Sequence, residues 1–300
     1  MLPANAVWFI TGCSNGGIGA SIAQYALSQG HRVVATARKT SALSYLADDP
    51  ETTLKLQLDV CSTESTDAAL AAALATFGRI DVMVNNAAIN AIGVTEALTE
   101  ESMRAVMETN FWGPMRITRK AIAIFRDVNS KSGGGIGGTV VNVSTIGGRI
   151  ALPAEAPYHA SKFALEGFSE CIASELAPDW KIRVLILEPG GTKTHFIENS
   201  RANTGPSHPA YNDPSLPVNL MLGAISNPAL NDGLVDPREL AKCLFNTLQK
   251  DHIPLRLPTG PDAYAMIKAK ETAKLEELET WREVSESVGG TGVLGTIRDM

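Results

Sequence analysis

The stretch AVWFITGCSNGGIGASIAQYALSQG, residues 6–30, decides how the rest of the chain reads. Its first six residues are apolar and rich in strand formers, the pattern of a buried strand. Thr11-Gly12-Cys13-Ser14-Asn15-Gly16-Gly17-Ile18-Gly19 follows as a glycine turn, and an Ala-rich segment at 18–29 then reads as a helix. That order makes a cradle for a pyrophosphate: free N–H groups and the helix dipole face the anion, and glycine lets backbone and ligand come close. A glycine pattern alone is weak evidence; its placement between strand and helix makes the dinucleotide reading specific. Gly12, Ser14, Asn15, Gly16, Gly17, Ile18 and Gly19 are the first candidate cofactor contacts.

Working outward, the same alternation continues. HRVVATA (31–37), TLKLQLDV (53–60), IDVMVNNA (80–87), GTVVNVS (138–144), KIRVLILEPG (181–190) and IPLRLPTG (253–260) read as further strands, giving seven. Helical segments are expected near 41–47, over 62–78 with Ser62 as N-cap and Gly78 as stop, over 100–127, 157–177 and 237–250 with Asp236 as N-cap, and over 262–288. The fold class is α/β, with a mostly parallel sheet and helices on both faces. Residues 130–138 read as a glycine connector, and 191–235, rich in Pro, Asn, Ser and Gly, as a substrate lid. Leu275, Leu278, Trp281 and Val284 form an apolar stripe expected to pack on the body or on a subunit.

Composition narrows the function class. The 300 residues are 44% hydrophobic and 19% charged, enough apolar material for a large core. The net charge of −6, with no basic stripe, disfavours a nucleic-acid binder. No apolar run is long enough to span a membrane, and the N-terminus reads as a strand instead of a signal peptide. Cys13, Cys61, Cys171 and Cys243 are far apart, so neither a metal site nor a disulfide framework is indicated, and a cytoplasmic protein is expected.

The end of the second strand discriminates between cofactors. An Asp or Glu there would bind the adenosine ribose and repel a 2′-phosphate. The chain carries Arg38-Lys39, which favours NADP(H), with Arg38 able to clamp the phosphate through its donor fork. Further on, Tyr158 and Lys162 stand four apart at the start of a helix and so share a face. A nearby ammonium would bring a phenol towards the working range of an acid–base catalyst. Ser144, ending the fifth strand, offers a hydroxyl to a carbonyl oxygen.

The glycine turn, Asp59-Val60, Asn85-Asn86-Ala87, Asn110, Ser144, the YxxxK at 158–162 and Pro189-Gly190 through Thr194 together resemble the short-chain dehydrogenase/reductase family in order and spacing. The resemblance implies a single Rossmann-type, doubly wound domain over 1–300: a cofactor-binding and catalytic core at 1–190, the lid, and a C-terminal helix–strand–helix extension at 236–300. It implies that Tyr158 is general acid and base, that Lys162 lowers its pKa and binds the nicotinamide ribose, and that Ser144 polarises the carbonyl. Asn110 would hold a relay water. Asp59 and Val60 would meet the adenine, Asn86 and Ala87 would line the cleft, and Pro189, Gly190, Thr192 and Thr194 would meet the carboxamide. The implied activity is NADP(H)-dependent interconversion of a ketone or aldehyde and an alcohol, in a homodimer or homotetramer; the composition of the lid, with Leu220, Met221, Leu222 and Ile225, suggests an apolar or medium-sized small-molecule substrate. The rivals are an NADP-binding scaffold without turnover and an isomerase, dehydratase or epimerase on the same fold. Two departures stand out: one extra residue in the turn leaves Gly16 and Gly17 competing for the middle glycine role, and Ala88 stands where the family carries glycine.

Overall fold

In β1 (Val7–Ile10) every side chain is buried, and alternate residues feed opposite layers. Trp8 and Ile10 join one apolar cluster, Val7 and Phe9 the other. Only a strand covered on both faces reads as an unbroken apolar run. The computed structural model describes residues 2–132, 137–227, 229 and 233–290. Parts of the expected connector (133–136), of the expected lid (228 and 230–232) and of the expected C-terminal extension (291–300) lie outside the described residues.

All seven expected strands form. With β1 they are β2 (Arg32–Ala37), β3 (Thr53–Gln57), β4 (Val82–Asn85), β5 (Gly138–Val143), β6 (Ile182–Pro189) and β7 (Arg256–Thr259). They make one parallel sheet in the order β3-β2-β1-β4-β5-β6-β7. The chain reverses direction across the sheet between β1 and β4. At such a switch point a crevice opens outside the carboxyl ends of the strands. Because every strand is parallel, Gly12, Arg38, Asn86, Ser144 and Gly190 all emerge at that one edge.

Helices cover both faces. α1 (Ile18–Ser28) lies on the first layer, and α2 (Thr63–Phe77) on the second. Ser62 accepts from Ser65 N at 3.0 Å as the N-cap of α2, and Gly78 closes that helix in the left-handed region, φ 73°. The expected helix over 100–127 forms as α3 (Glu100–Met107), a π-turn at Glu108–Trp112, α4 (Gly113–Ala123) and a second π-turn at Ile124–Val128. α5 (Ala156–Glu175) runs beside α4, followed by α6 (Phe196–Ala202), α7 (Pro217–Ser226) and α8 (Pro237–Leu248). α8 returns to α1, and its Phe245 stacks on Trp8 with ring centroids 5.8 Å apart. A fully buried aromatic such as Trp8 carries about 3–5 kcal/mol against truncation.

Two expectations are corrected. The helix expected near 41–47 is a short 3-10 turn, Thr40–Leu43; the segment packs through Leu43 and Leu46 instead of extending. The segment 262–288 is broken at Trp281 into α9 (Pro261–Thr280) and α10 (Arg282–Glu286). Among the described residues its stripe is not packed: Leu275, Leu278, Trp281 and Val284 are all exposed, and the buried side chains of α9 are Ala263 and Ile267 in its first two turns. No described helix is long and apolar enough to cross a membrane.

Candidate active site

The glycine turn is built by its neighbours. Gly16 takes φ 76°, a left-handed conformation that L side chains rarely adopt, whereas Gly17 has φ −98° and is the N-cap of α1. The extra residue is thus absorbed by giving the two glycines separate jobs. Gly19 is needed for close approach: a Cβ there would meet Asn86 Nδ2 at 2.6 Å and Gly12 O at 2.7 Å. The α1 N-terminus has no side-chain cap and no acidic residue in its first turn, so its amides and dipole are left for an anion.

Asn86 lines the crevice by holding this turn. Its Nδ2 donates to Thr11 O and Gly12 O, both at 2.9 Å, while Thr11 Oγ1 accepts from Asn86 N and Ala87 N at 2.9 and 3.0 Å. Tyr45 donates to Cys13 O at 2.8 Å from the other side. Cys13 is a packing residue: it is buried, and burial pushes its thiol up to about 12. Ser14 and Asn15 are exposed in the turn. Arg38 and Lys39 stand exposed at the end of β2, with no partner among the described residues. Asp59 and Val60 follow β3; the Asp59 carboxylate accepts from Cys61 N at 3.0 Å, and Val60 is buried against Gly113. These features fit a dinucleotide: a glycine cradle and uncapped amides, with two exposed cations at the end of β2.

Beyond β5 lies the second group. Ser144 is 3% exposed, and its Oγ is buried without a partner. Such a hydroxyl costs free energy unless a ligand or water completes it. Tyr158 and Lys162 open α5 on one face, with Lys162 Nζ 5.8 Å from the phenol ring centroid. Nζ donates to Val143 O at 2.8 Å. Burial pushes the Lys162 ammonium down to about 8, against the pull of the nearby Glu166 carboxylate. Burial also drives the Tyr158 phenol above its ordinary value, helped by the charge of Glu155 and opposed only by the Thr145 hydroxyl. The Lys162 ammonium reaches the phenol ring from one helical turn away while its bond goes to Val143 O.

Asn110 sits in the first π-turn, fully buried, and its side chain is already committed. It accepts from Ile89 N at 2.9 Å and donates to Ile89 O at 2.8 Å and Ser161 Oγ at 3.1 Å. Its amide braces the strand end after β4 and ties it to α5; any relay water would have to bind elsewhere on this residue. Pro189 O accepts from Thr145 Oγ1 at 3.3 Å, Gly190 N donates to Thr259 O at 3.0 Å, Thr192 Oγ1 donates to Gly190 O at 3.2 Å, and Thr194 Oγ1 accepts from Phe196 N at 3.2 Å. Both threonine hydroxyls thus shape the loop that leads into α6.

The structure adds residues that motif reading passed over. Asp262 accepts from Gly191 N at 2.7 Å, so the start of α9 pins the loop after β6. The Phe196 ring lies 5.5 Å from that of Tyr158, placing α6 over the phenol. His195 covers the glycine turn, its Nε2 2.7 Å from where a Gly16 Cβ would stand, and its Nδ1 is 3.1 Å from Glu198. His195 and Phe196 fall at the start of the segment read as a lid, 191–235.

A family profile described as short chain dehydrogenase matches residues 6–205. The chain is 43% identical to oxidoreductase calM of Penicillium decumbens over 95% of its own length and 93% of that protein's. It is 32% identical to the 3-ketodihydrosphingosine reductase of Bacteroides thetaiotaomicron, over 84% and 87%. A crystal structure of a short-chain dehydrogenase from Streptomyces avermitilis superposes with a TM-score of 0.82 at 34% identity, covering 96% of this chain and 100% of that one. With the seven-stranded parallel sheet, these matches show that the chain is an oxidoreductase of the short-chain dehydrogenase/reductase family.

Proposed function

We propose that the protein is an NADP(H)-dependent reductase of ketones or aldehydes, working in reverse as an alcohol dehydrogenase. The observation that carries this reading is the bare, buried Ser144 hydroxyl beside Tyr158 and Lys162 at the edge that also bears the glycine turn. Bound NADPH would supply the hydride. Ser144 would donate to the substrate carbonyl oxygen and steady the charge that grows there. Tyr158, whose buried phenol keeps its proton at neutral pH, would pass that proton to the same oxygen. Lys162 would hold the ribose hydroxyls and balance the charge left on the phenol. The glycine turn residues, Asn86 and Ala87 would carry the pyrophosphate and line the cleft, Arg38 and Lys39 the 2′-phosphate, Asp59 and Val60 the adenine side, and the 189–194 loop the carboxamide.

Residues 191–235 serve as a lid on a single domain that spans the chain. Phe196 over Tyr158 and the apolar residues Leu220, Met221, Leu222 and Ile225 of α7 give that segment an apolar character, which suits an apolar carbonyl substrate. The similarity to a protein named 3-ketodihydrosphingosine reductase points the same way. The four free cysteines suit the cytosol. The test is loss of NADPH absorbance across a panel of ketones graded from small and polar to long and apolar. The expected order of kcat/KM rises with apolar chain length; a preference for small polar ketones overturns the substrate class.

The helical segments that carry Asn110 and Tyr158 would supply a partner surface. Trp112 in the π-turn and Phe163 on α5 are 45% and 42% exposed, and Phe111 bridges Trp112 and Phe168 at 4.9 and 6.2 Å. An exposed aromatic patch of this kind marks a self-complementary interface. A homodimer is expected by light scattering. Trp112→Asp with Phe163→Asp should convert it to monomer; a parent that is already monomeric removes the assignment.

A further inference from the structure

One turn past Lys162, the same face of α5 carries an acid that the proposed reaction leaves idle. Glu166 is 4% exposed. Its Oε2 accepts from Arg256 Nε at 2.9 Å, while its Oε1 is buried without a partner. That bare oxygen lies 2.9 Å from the point where a Cβ on Gly148 would stand, and the bare Oγ of Ser144 lies closer still to the same point. Glycine at 148 therefore leaves a gap lined by both oxygens, neither of which has a hydrogen-bond partner there. A side chain there would fill it.

The charges around Glu166 are Lys162 and Glu170 on its own helix, Glu188 from β6 and Arg256 from β7. Arg256 also binds Glu170 at 2.8 Å and stands 3.8 Å from Glu188. Glu188 is in turn held by Arg149 at 3.1 Å, and Arg149 reaches Glu271 of α9 at 3.0 Å. Both arginines are thus engaged on more than one acid. Lys162 is the cation whose ammonium form only Glu166 supports.

We infer that Glu166 is a positioning residue for the reaction: one helical turn from Lys162 and anchored from behind by Arg256, it is the counter-charge of the Lys162 ammonium, and its bare Oε1 lies at the Gly148 gap that Ser144 also lines. The inference rests on the roles given above to Tyr158, Lys162 and Ser144. Burial and the charge of Glu166 push the Glu188 carboxyl up, against the pull of Arg149 and Arg256. The Lys162 ammonium, already pushed down to about 8 by burial, would fall further without the carboxylate beside it. The sign is fixed: loss of Glu166 brings the alkaline fall of activity to lower pH.

The experiment compares pH profiles of kcat/KM for wild type, Glu166→Gln, Glu166→Asp and Glu188→Gln, with melting temperatures and NADPH dissociation constants from nicotinamide fluorescence at each pH. In Glu166→Gln the alkaline limb should move down by about one pH unit, with roughly a tenfold loss above it and less than twofold near pH 6. Glu166→Asp should lie between wild type and Glu166→Gln. NADPH binding should weaken over the same alkaline range, and Glu188→Gln should keep the wild-type limb. A folded Glu166→Gln with an unmoved limb overturns the inference, as does a Glu188→Gln limb displaced equally, which marks mere disturbance of the buried charges. Where Glu166→Gln does not fold, Glu166→Asp decides alone: a displaced limb supports the role and an unmoved one overturns it. A wild type that binds NADPH but turns over no carbonyl fails the functional reading separately, because its NADPH binding still reports on Lys162.

Discussion

Tyr158→Phe is expected to lose roughly 10²–10⁴-fold in kcat while NADPH still binds. The substitution removes one oxygen and leaves the ring that packs 5.5 Å from Phe196. The hydroxyl lies in a desolvated place where only Thr145 favours its ionised form, so its removal strips little from the folded state. Lys162 keeps its bond to Val143 O, and Ser144 keeps its place at the end of β5. What disappears is the proton that the product alcohol needs. The hydride donor and the carbonyl-polarising serine remain, so a residual rate is expected above the uncatalysed one. Stopped-flow absorbance gives the turnover, and nicotinamide fluorescence gives the dissociation constant. A variant that reduces ketones as fast as the parent removes Tyr158 from the chemistry. A variant that no longer binds NADPH assigns it to the cofactor site instead.

The features legible in the sequence are those set by neighbours along the chain. β1 and the Val184–Leu187 run of β6 are readable because strand residues buried on both faces are apolar in succession, and the Gly16–Gly17 pair because a left-handed turn and a helix cap both tolerate glycine. Tyr158 and Lys162 are readable because one helical turn joins them. The illegible features depend on contacts between distant segments. Arg256 reaches Glu166 across 90 residues, and Asp262 reaches Gly191 across 71. No local pattern announces either. The π-turn that carries Asn110 has the composition of ordinary helix, so the inserted residue is invisible until the hydrogen-bond ladder is seen. The Leu275–Val284 stripe shows the reverse limit: period and polarity marked an apolar face correctly, but its partner was not a property of those residues. The Tyr158 phenol shows why spacing does not fix a pKa. The four-residue interval brought the ammonium near, and the burial that pushes the phenol up comes from the surrounding fold.

Replacing Arg38 and Lys39 together by Ala should cost NADPH about 100-fold in affinity and leave NADH nearly unchanged. Each charge-assisted contact to a phosphate contributes about 1.5–3 kcal/mol, and about 1.4 kcal/mol is a factor of ten, so 100-fold is a lower figure for two contacts. Both side chains leave the end of β2, the strand next to β1, so they stand beside the turn that would hold the pyrophosphate. Both are exposed and neither is bound by an acid among the described residues, so no ion pair must break before a phosphate is bound. The carboxylate at the end of the neighbouring β3, Asp59, already accepts from Cys61 N at 3.0 Å. Arg38 should carry the larger share, because its planar fork meets two phosphate oxygens where an ammonium meets one point. Salt supplies an independent check: raising ionic strength screens exposed charges, so wild-type NADPH affinity should fall with added salt while that of NADH and of the double variant stays flat. Equal affinity of the wild type for NADPH and NADH would assign the pair to the solvated surface and leave the cofactor preference without a residue to carry it.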